Sequence, residues 1–184
     1  MAGVRQFDEQ ATFERALDVF WTKGFRATSM PDLAAGTGVQ RGSLYHAYGG
    51  KQQLFLKVFE QFTADFLARA ADALADADAK RALTGFFDFV ITSITTGTPS
   101  RGCLSTRTAV EADGVVEDAV RKLLDDLEAL LLARLQHAGL AVEPREAARL
   151  VVAMTRGLAV LERVYDDPAR LRETAAALVT SLLR

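Results

Sequence analysis

The chain has 184 residues, 49% of them apolar, with 4 prolines and a formal net charge of −2. That length accommodates one or two compact domains, and the apolar share with so few prolines excludes a disordered or collagen-like chain. Near-neutral charge excludes a polycation, although binding to a polyanion depends on a local patch rather than on the total.

Cys103 is the single cysteine, so an intrachain disulfide and a cysteine zinc cluster are both excluded, and a reducing compartment suits the chain. The first residues carry acids and no apolar run long enough for a signal peptide. Charged residues interrupt every later apolar segment, so a soluble, cytoplasmic protein without a membrane span is expected.

In chain order, Met1 to Gln6 reads as a loose arm, with a frayed terminus as the plain reading and a phosphate contact by Arg5 as the other. From about Glu9 to Lys23, Phe13, Ala16, Leu17, Phe20 and Trp21 recur at helical spacing. The stretch Thr28 to Phe55 then reads as two short helices joined by a glycine turn. Thr28 is expected as the N-cap and Pro31 falls in the first turn, where its missing N–H costs nothing. Met30, Leu33 and Ala34 form an apolar stripe, with Ala34 small enough to let the two helices cross closely. Gly36 and Gly38 end the first helix, and Gly38 supplies the positive φ of the turn. The second helix, Gln40 to Ala47, turns Leu44 and Tyr48 inward and leaves Gln40, Arg41, Ser43 and His46 outward. This is the pattern of a helix-turn-helix, whose second helix enters a DNA major groove. A small core of Phe13, Leu17, Phe20, Phe25, Leu33, Val39 and Leu44 is expected beneath it. The charge balance agrees: from Lys23 to Lys57 five bases stand against Asp32 alone.

After Gly49 and Gly50, a helix is expected from Lys51 to about Ala75, with Phe55, Phe59, Phe62 and Phe66 on one face. It crosses the expected domain boundary and offers a route for movement between domains. Further helices follow over Ala79 to Thr96, Cys103 to Ala112, Val115 to His137, Pro144 to Tyr165 and Pro168 to about Leu183. Thr96 to Gly102 is a loop by composition. The expectation is an all-α protein of about nine helices, with a helix-turn-helix domain at 1–50 and a larger helical domain at 51–184.

The run FWTKGFRATSMPDLAAGTGVQRGSLYHAYGGKQQLF, Phe20 to Phe55, resembles the DNA-binding domain of the TetR family of bacterial transcriptional regulators. The matching positions are the Gly24-Phe25 pair, Thr28-Ser29, the turn Gly38-Val39, the pair Leu44-Tyr45, Tyr48 and Lys51. Gln40, Tyr48 and Gln52 depart from the commoner Ser, Phe and Glu, and the first of these bears on operator preference. The resemblance implies that Thr28, Ser29, Tyr45, His46 and Lys51 hold phosphates, which fix register without reading sequence. By their own chemistry Gln40 and Arg41 suit base edges, Arg to guanine and Gln to adenine, and Gly42 permits close approach to the groove beside Ser43. Tyr45 can alternatively be a half-buried aromatic, and His46 an ordinary surface histidine.

The same resemblance implies a homodimer formed by the last two helices, here through Leu150, Met154, Leu158, Leu161, Leu171, Ala175, Leu178 and Leu182, reading a near-palindromic operator. It also implies a small-molecule effector site in the larger domain, for which Phe62, Phe66, Phe86, Phe89, Cys103, Arg107 and Met154 are the candidates. The aromatic excess points to an apolar or aromatic effector. Most of the family are repressors, so a repressor is expected. The segment GCLSTRTAVE, Gly102 to Glu111, resembles a branch in which a cysteine near the effector site responds to electrophiles or oxidants. Cys103 is therefore read either as a thiol sensor, activated by Arg101, Arg107 or a helix N-terminus, or as a small buried hydrophobe. Arg107 and Glu111, four residues apart, can simply pair.

An enzyme is disfavoured by inventory. With two histidines, no phosphate-binding glycine loop and no metal-ligand cluster, neither a catalytic centre, a metal site nor a cofactor is expected.

Overall fold

In the computed structural model, residues 7–97, 100 and 102–183 are described; Arg5 and Arg101 lie outside them. The described residues form nine helices and no strand, apart from an isolated bridge between Leu140 and Leu183. The helices are α1 (Glu9–Lys23), α2 (Met30–Thr37), α3 (Arg41–Tyr48), α4 (Lys51–Ala73), α5 (Ala79–Thr95), α6 (Leu104–Glu111), α7 (Gly114–Leu135), α8 (Pro144–Tyr165) and α9 (Pro168–Leu182). None of the described helices is long and apolar enough to cross a membrane.

Two compact units divide the chain, one of residues 1–64 with 107–120 and one of residues 65–106 with 121–184. Each is discontinuous in sequence.

In the first unit, Phe20, Leu33, Leu44, Leu54, Phe55 and Phe59 are buried. Phe20 meets Phe55 edge-on at 4.9 Å between ring centroids, and Phe59 stacks on Phe55 at 5.2 Å. Phe13, Leu17, Phe25 and Val39 are only half-buried. The aromatic residues of α4 thus complete a core that α1 to α3 are too short to close alone.

In the second unit, α5, α8 and α9 pack on one another around Phe86, Phe87, Ile91, Leu127, Leu131, Val151, Leu158, Leu171 and Val179, all buried. α8 and α9 are joined across Asp166 and Asp167. Asp166 takes the left-handed conformation at φ 48°, and the Asp167 carboxylate accepts from the amides of Ala169 and Arg170 at 3.1 Å. Arg134 donates to the carbonyls of Leu74, Ala75 and Asp76 beyond the end of α4, satisfying acceptors that a helix terminus leaves unpaired.

Candidate nucleic-acid interface

α2 opens with Ser29, not Thr28, as its N-cap. Ser29 and Asp32 form a reciprocal capping box: the Ser29 amide donates to Asp32 at 2.9 Å, and the Asp32 amide to the Ser29 hydroxyl at 3.3 Å. Thr28 is buried, and its hydroxyl donates to the Gly24 carbonyl at 2.6 Å. The Lys23 ammonium also donates to Asp32. That bond, followed by those from the Ser29 hydroxyl and amide, holds the Asp32 carboxyl well below the usual carboxylate range.

The turn between α2 and α3 is set by Gly38, at φ 74°, whose amide donates to the Ala34 carbonyl at 3.0 Å. Close approach in this unit occurs at Gly36, where an added Cβ would stand 2.2 Å from Val19 of α1. Ala34, expected to permit the crossing, is half-buried. Arg15 donates to the Thr37 carbonyl at 3.1 Å, so α1 closes the C-terminal end of α2.

α3 begins one residue later than expected. Gln40 is its N-cap and makes no side-chain capping bond, so the first amides of α3 keep no acceptor from that side chain. Leu44 and Tyr48 face inward and are buried, whereas Gln40, Arg41, Gly42, Tyr45 and His46 are exposed and Ser43 is half-buried. Nothing approaches within 4 Å of where a Gly42 Cβ would stand, leaving that point of the helix as bare backbone. The Arg41 guanidinium lies 5.5 Å from the Tyr45 ring centroid; the two residues form one continuous outward surface.

Lys51 has a different immediate duty from a free phosphate ligand. Its ammonium donates to the carbonyls of Phe25 and Arg26 at 2.9 and 3.2 Å and sits 4.7 Å from the Phe25 ring centroid. It ties the start of α4 to the segment between α1 and α2, immediately before the Ser29 cap.

The seven candidate effector residues are divided between the two units. Phe62 belongs to the first unit, where its ring meets Trp21 at 5.3 Å. Arg107 also belongs there and donates to the carbonyls of Trp21, Thr22 and Lys23 at 3.1, 3.1 and 2.8 Å, and to Glu111 at 3.3 Å. This is a cap on the C-terminus of α1, where a cation is favoured by the exposed carbonyls. Phe86 is a fully buried core residue of the second unit. Phe66, Phe89, Cys103 and Met154 are the partly buried members, all against that same core, and Phe66 and Phe89 lie 5.4 Å apart.

Cys103 Sγ lies 3.2 Å from the Ser105 hydroxyl, while Arg156 donates to Ser105 at 2.6 Å and to Cys103 at 3.6 Å. Burial pushes the thiol up, but the Arg156 charge and hydrogen bonds at the start of α6 outweigh it and leave the pKa lowered. Sequence reading missed Arg156, Ser105 and also Glu162, which is buried on α8. A signal for Glu162 was present: it stands seven residues after buried Thr155, in phase with the apolar stripe of that helix.

The apolar residues expected at a dimer interface separate by helix face. Leu158, Leu171, Ala175 and Leu182 are buried in the second unit, because their phase points them at α5 and at each other's helices. Leu150 is exposed, and Met154, Leu161 and Leu178 are half-buried.

Residues 13–58 match the model for the bacterial regulatory proteins of the tetR family. Among curated relatives, the chain is 29% identical over 99 residues to the transcriptional repressor ComR of Escherichia coli, covering 53% of this chain and 47% of ComR. It is 33% identical over 75 residues to the repressor KstR2 of Mycobacterium tuberculosis, covering 40% of this chain and 38% of KstR2. The chain thus spans about half the length, or less, of these two relatives. The fold is matched over nearly its full length. A cysteine mutant of the TetR family regulator CifR, complexed with operator DNA, superposes with a TM-score of 0.88 at 21% identity, covering 98% of this chain and 100% of CifR. Reduced NemR of Escherichia coli gives 0.86 at 18% identity, covering 95% and 96%. The helix-turn-helix segment 13–58 thus matches the tetR-family model, and the chain behind it shares the fold of the TetR family regulator CifR.

Proposed function

We propose that this protein is a sequence-specific DNA-binding transcriptional regulator rather than an enzyme. It acts as a two-fold dimer on a near-palindromic operator and serves as a repressor released by a small-molecule effector. The observation that carries the reading is the outward face of α3, where Gln40, Arg41, Gly42, Tyr45 and His46 are exposed together. A bare Gly42 allows backbone to approach the groove, Arg41 and Gln40 are the donors able to read base edges, and the uncapped amides at the start of α3 suit a phosphate. ComR and KstR2 are named transcriptional repressors, and CifR is bound to a 26bp double-strand operator; these relatives support the same reading here.

For the dimer, the supporting surface is the outer face of α8. Leu150, Val160 and Val164 are 45, 54 and 67% exposed, and Ala153 and Gly157 lie between them, also exposed. Their spacing of three and four residues makes one stripe, and small residues in its middle let a second helix approach closely. A single helix-turn-helix contacts one half-site, so pairing supplies the second. An effector that binds better to the form poorly suited to DNA lowers operator affinity by linkage alone.

The test is fluorescence anisotropy with DNA flanking the protein's own gene, against scrambled DNA, at two salt concentrations. Tight, salt-weakened binding to the native DNA only is expected. No binding to either DNA at low salt would count against the reading.

Cys103 favours a second reading, in which the signal is covalent. Its lowered pKa and its contact with Arg156 favour the thiolate, the nucleophilic form. If a mild electrophile releases wild-type protein from DNA and leaves C103S bound, the thiol carries the signal; equal release of both disposes of this mode.

A further inference from the structure

Arg41 and Tyr45 stand one helical turn apart on α3 and so share a face. Both are exposed, Tyr45 at 43%. The Arg41 guanidinium carbon lies 5.5 Å from the Tyr45 ring centroid, within cation–π range. The ring has a seat of its own on the backbone that follows the helix. An added Cβ at Gly50 would lie 3.9 Å from Tyr45 Cε1, and the Gly49 amide donates to the Tyr45 carbonyl at 2.8 Å.

Reading guanine requires the planar guanidinium to meet O6 and N7 together, in one orientation. An arginine side chain is long and rotamer-rich, and ordering it at an interface costs free energy. A tyrosine ring turns on only two torsions, and guanidinium planes stack on aromatic faces. Next to Arg41, the Gln40 side chain makes no capping bond and Gly42 offers no side chain. Local acid does not draw Arg41 aside. Between Lys23 and Lys57 the one acid is Asp32, and Lys23 and Ser29 hold its carboxylate.

We propose that Tyr45 is a positioning residue for base readout: its ring orients Arg41 toward a guanine edge, so that Tyr45 shapes sequence preference without touching a base. This rests on the sequence-specific DNA-binding reading above and gives Tyr45 a use distinct from a phosphate contact. The hydroxyl is the group able to hold a phosphate, which strengthens binding to every sequence alike. The ring is what Arg41 meets, and its effect falls on one base. Different atoms carry the two uses, so substitution separates them.

The experiment selects sites from duplex DNA with a randomised core on the full chain. Anisotropy is then measured on the selected site and on versions changed at single base pairs, at one salt concentration. The proteins are wild type, R41A, Y45F, Y45L and R41A/Y45L. R41A is expected to lose the preference for guanine at one position, which marks the base that Arg41 reads. There wild type should prefer guanine by about tenfold or more. Y45F should keep that ratio while binding every sequence more weakly. Y45L should lower the ratio by about two- to fivefold, the size of an exposed cation–π contact. In the R41A background Y45L should change no ratio, because the partner it acts through is gone. A Y45L protein that weakens binding to all sequences alike and keeps the guanine ratio overturns the proposal, as does an R41A protein with unchanged base preferences. Equal loss of the ratio in Y45F and Y45L also overturns it, because the hydroxyl rather than the ring would then set Arg41. If wild type enriches no sequence, the DNA-binding reading itself fails and takes this proposal with it.

Discussion

Arg107 of α6 donates to the Lys23 carbonyl at 2.8 Å across 84 residues of sequence, and with its bonds to Trp21 and Thr22 it closes the C-terminus of α1. Glu111, one turn later, accepts from the Arg26 amide at 3.1 Å. Gly24 lies between these anchors at φ 83°, and a Cβ there would stand 2.7 Å from Glu111 Oε1 and 2.8 Å from Arg107 Nε. The Gly-aromatic pair at Gly24-Phe25 is thus explained twice, by backbone conformation and by the two side chains crowding it.

Removing this clasp should cost stability. R107A leaves three helix-terminal carbonyls to water and is expected to lose about 1–2 kcal/mol in denaturant unfolding. G24A should cost about 1–3 kcal/mol in the wild-type background. Part of that loss should disappear in an R107A/E111A background, where the crowding is gone and only the backbone strain remains. Full additivity of the changes would show that the side chains are not what Gly24 accommodates.

Lys51 and Arg41 separate stability from recognition. R41A should leave Tm unchanged while weakening operator binding by about 1–3 kcal/mol and relaxing preference at its base. K51A, which frees the Phe25 and Arg26 carbonyls, should lower Tm together with DNA affinity. A K51A protein with unaltered Tm and weaker, less salt-dependent DNA binding would make Lys51 a phosphate ligand first.

The two faces of α8 should respond differently to substitution. V160E, on the exposed face, is expected to yield a folded monomer in sedimentation analysis with helical content retained. L158A, on the buried face, should cost about 2–5 kcal/mol of stability. A dimer unaffected by V160E would place the interface elsewhere.

Asp32 makes acid sensitivity local. Its pKa is depressed in the folded protein by Lys23 and Ser29, so its contribution is present above the unfolded carboxylate value of about 3.9 and is lost as pH falls through the lower folded value. D32N should be less stable than wild type at neutral pH, and the gap should narrow as pH falls below about 4. A gap constant down to pH 2 would mean that the charge contributes nothing.

Much of the architecture was legible because helices are local objects. Apolar spacing, the prolines at 31, 144 and 168 and the glycines at 38 and 49 placed all nine described helices to within a few residues. The outward residues of α3 were equally legible, since a 3.6-residue period and two inward anchors, Leu44 and Tyr48, leave only one solvent face. Local reading failed where a side chain has two chemically reasonable uses. Thr28 and Ser29 can each cap a helix, and only the backbone path places Ser29 against the Asp32 amide while burying Thr28 under the Gly24 carbonyl. Lys51 and Arg107 are cations that suit phosphate or ligand equally well, and partners 25 and 84 residues away turned them to helix and loop carbonyls.

The sequence by itself determined the helical class, the helix-turn-helix and the residues its second helix presents, because short-range periodicity and turn chemistry decide all three. Only the tertiary structure decided which apolar positions of α8 and α9 are core and which are surface, and that Glu162 is buried among them. Burial depends on what packs opposite, and the α5 residues that settle it stand about fifty or more positions away in the chain.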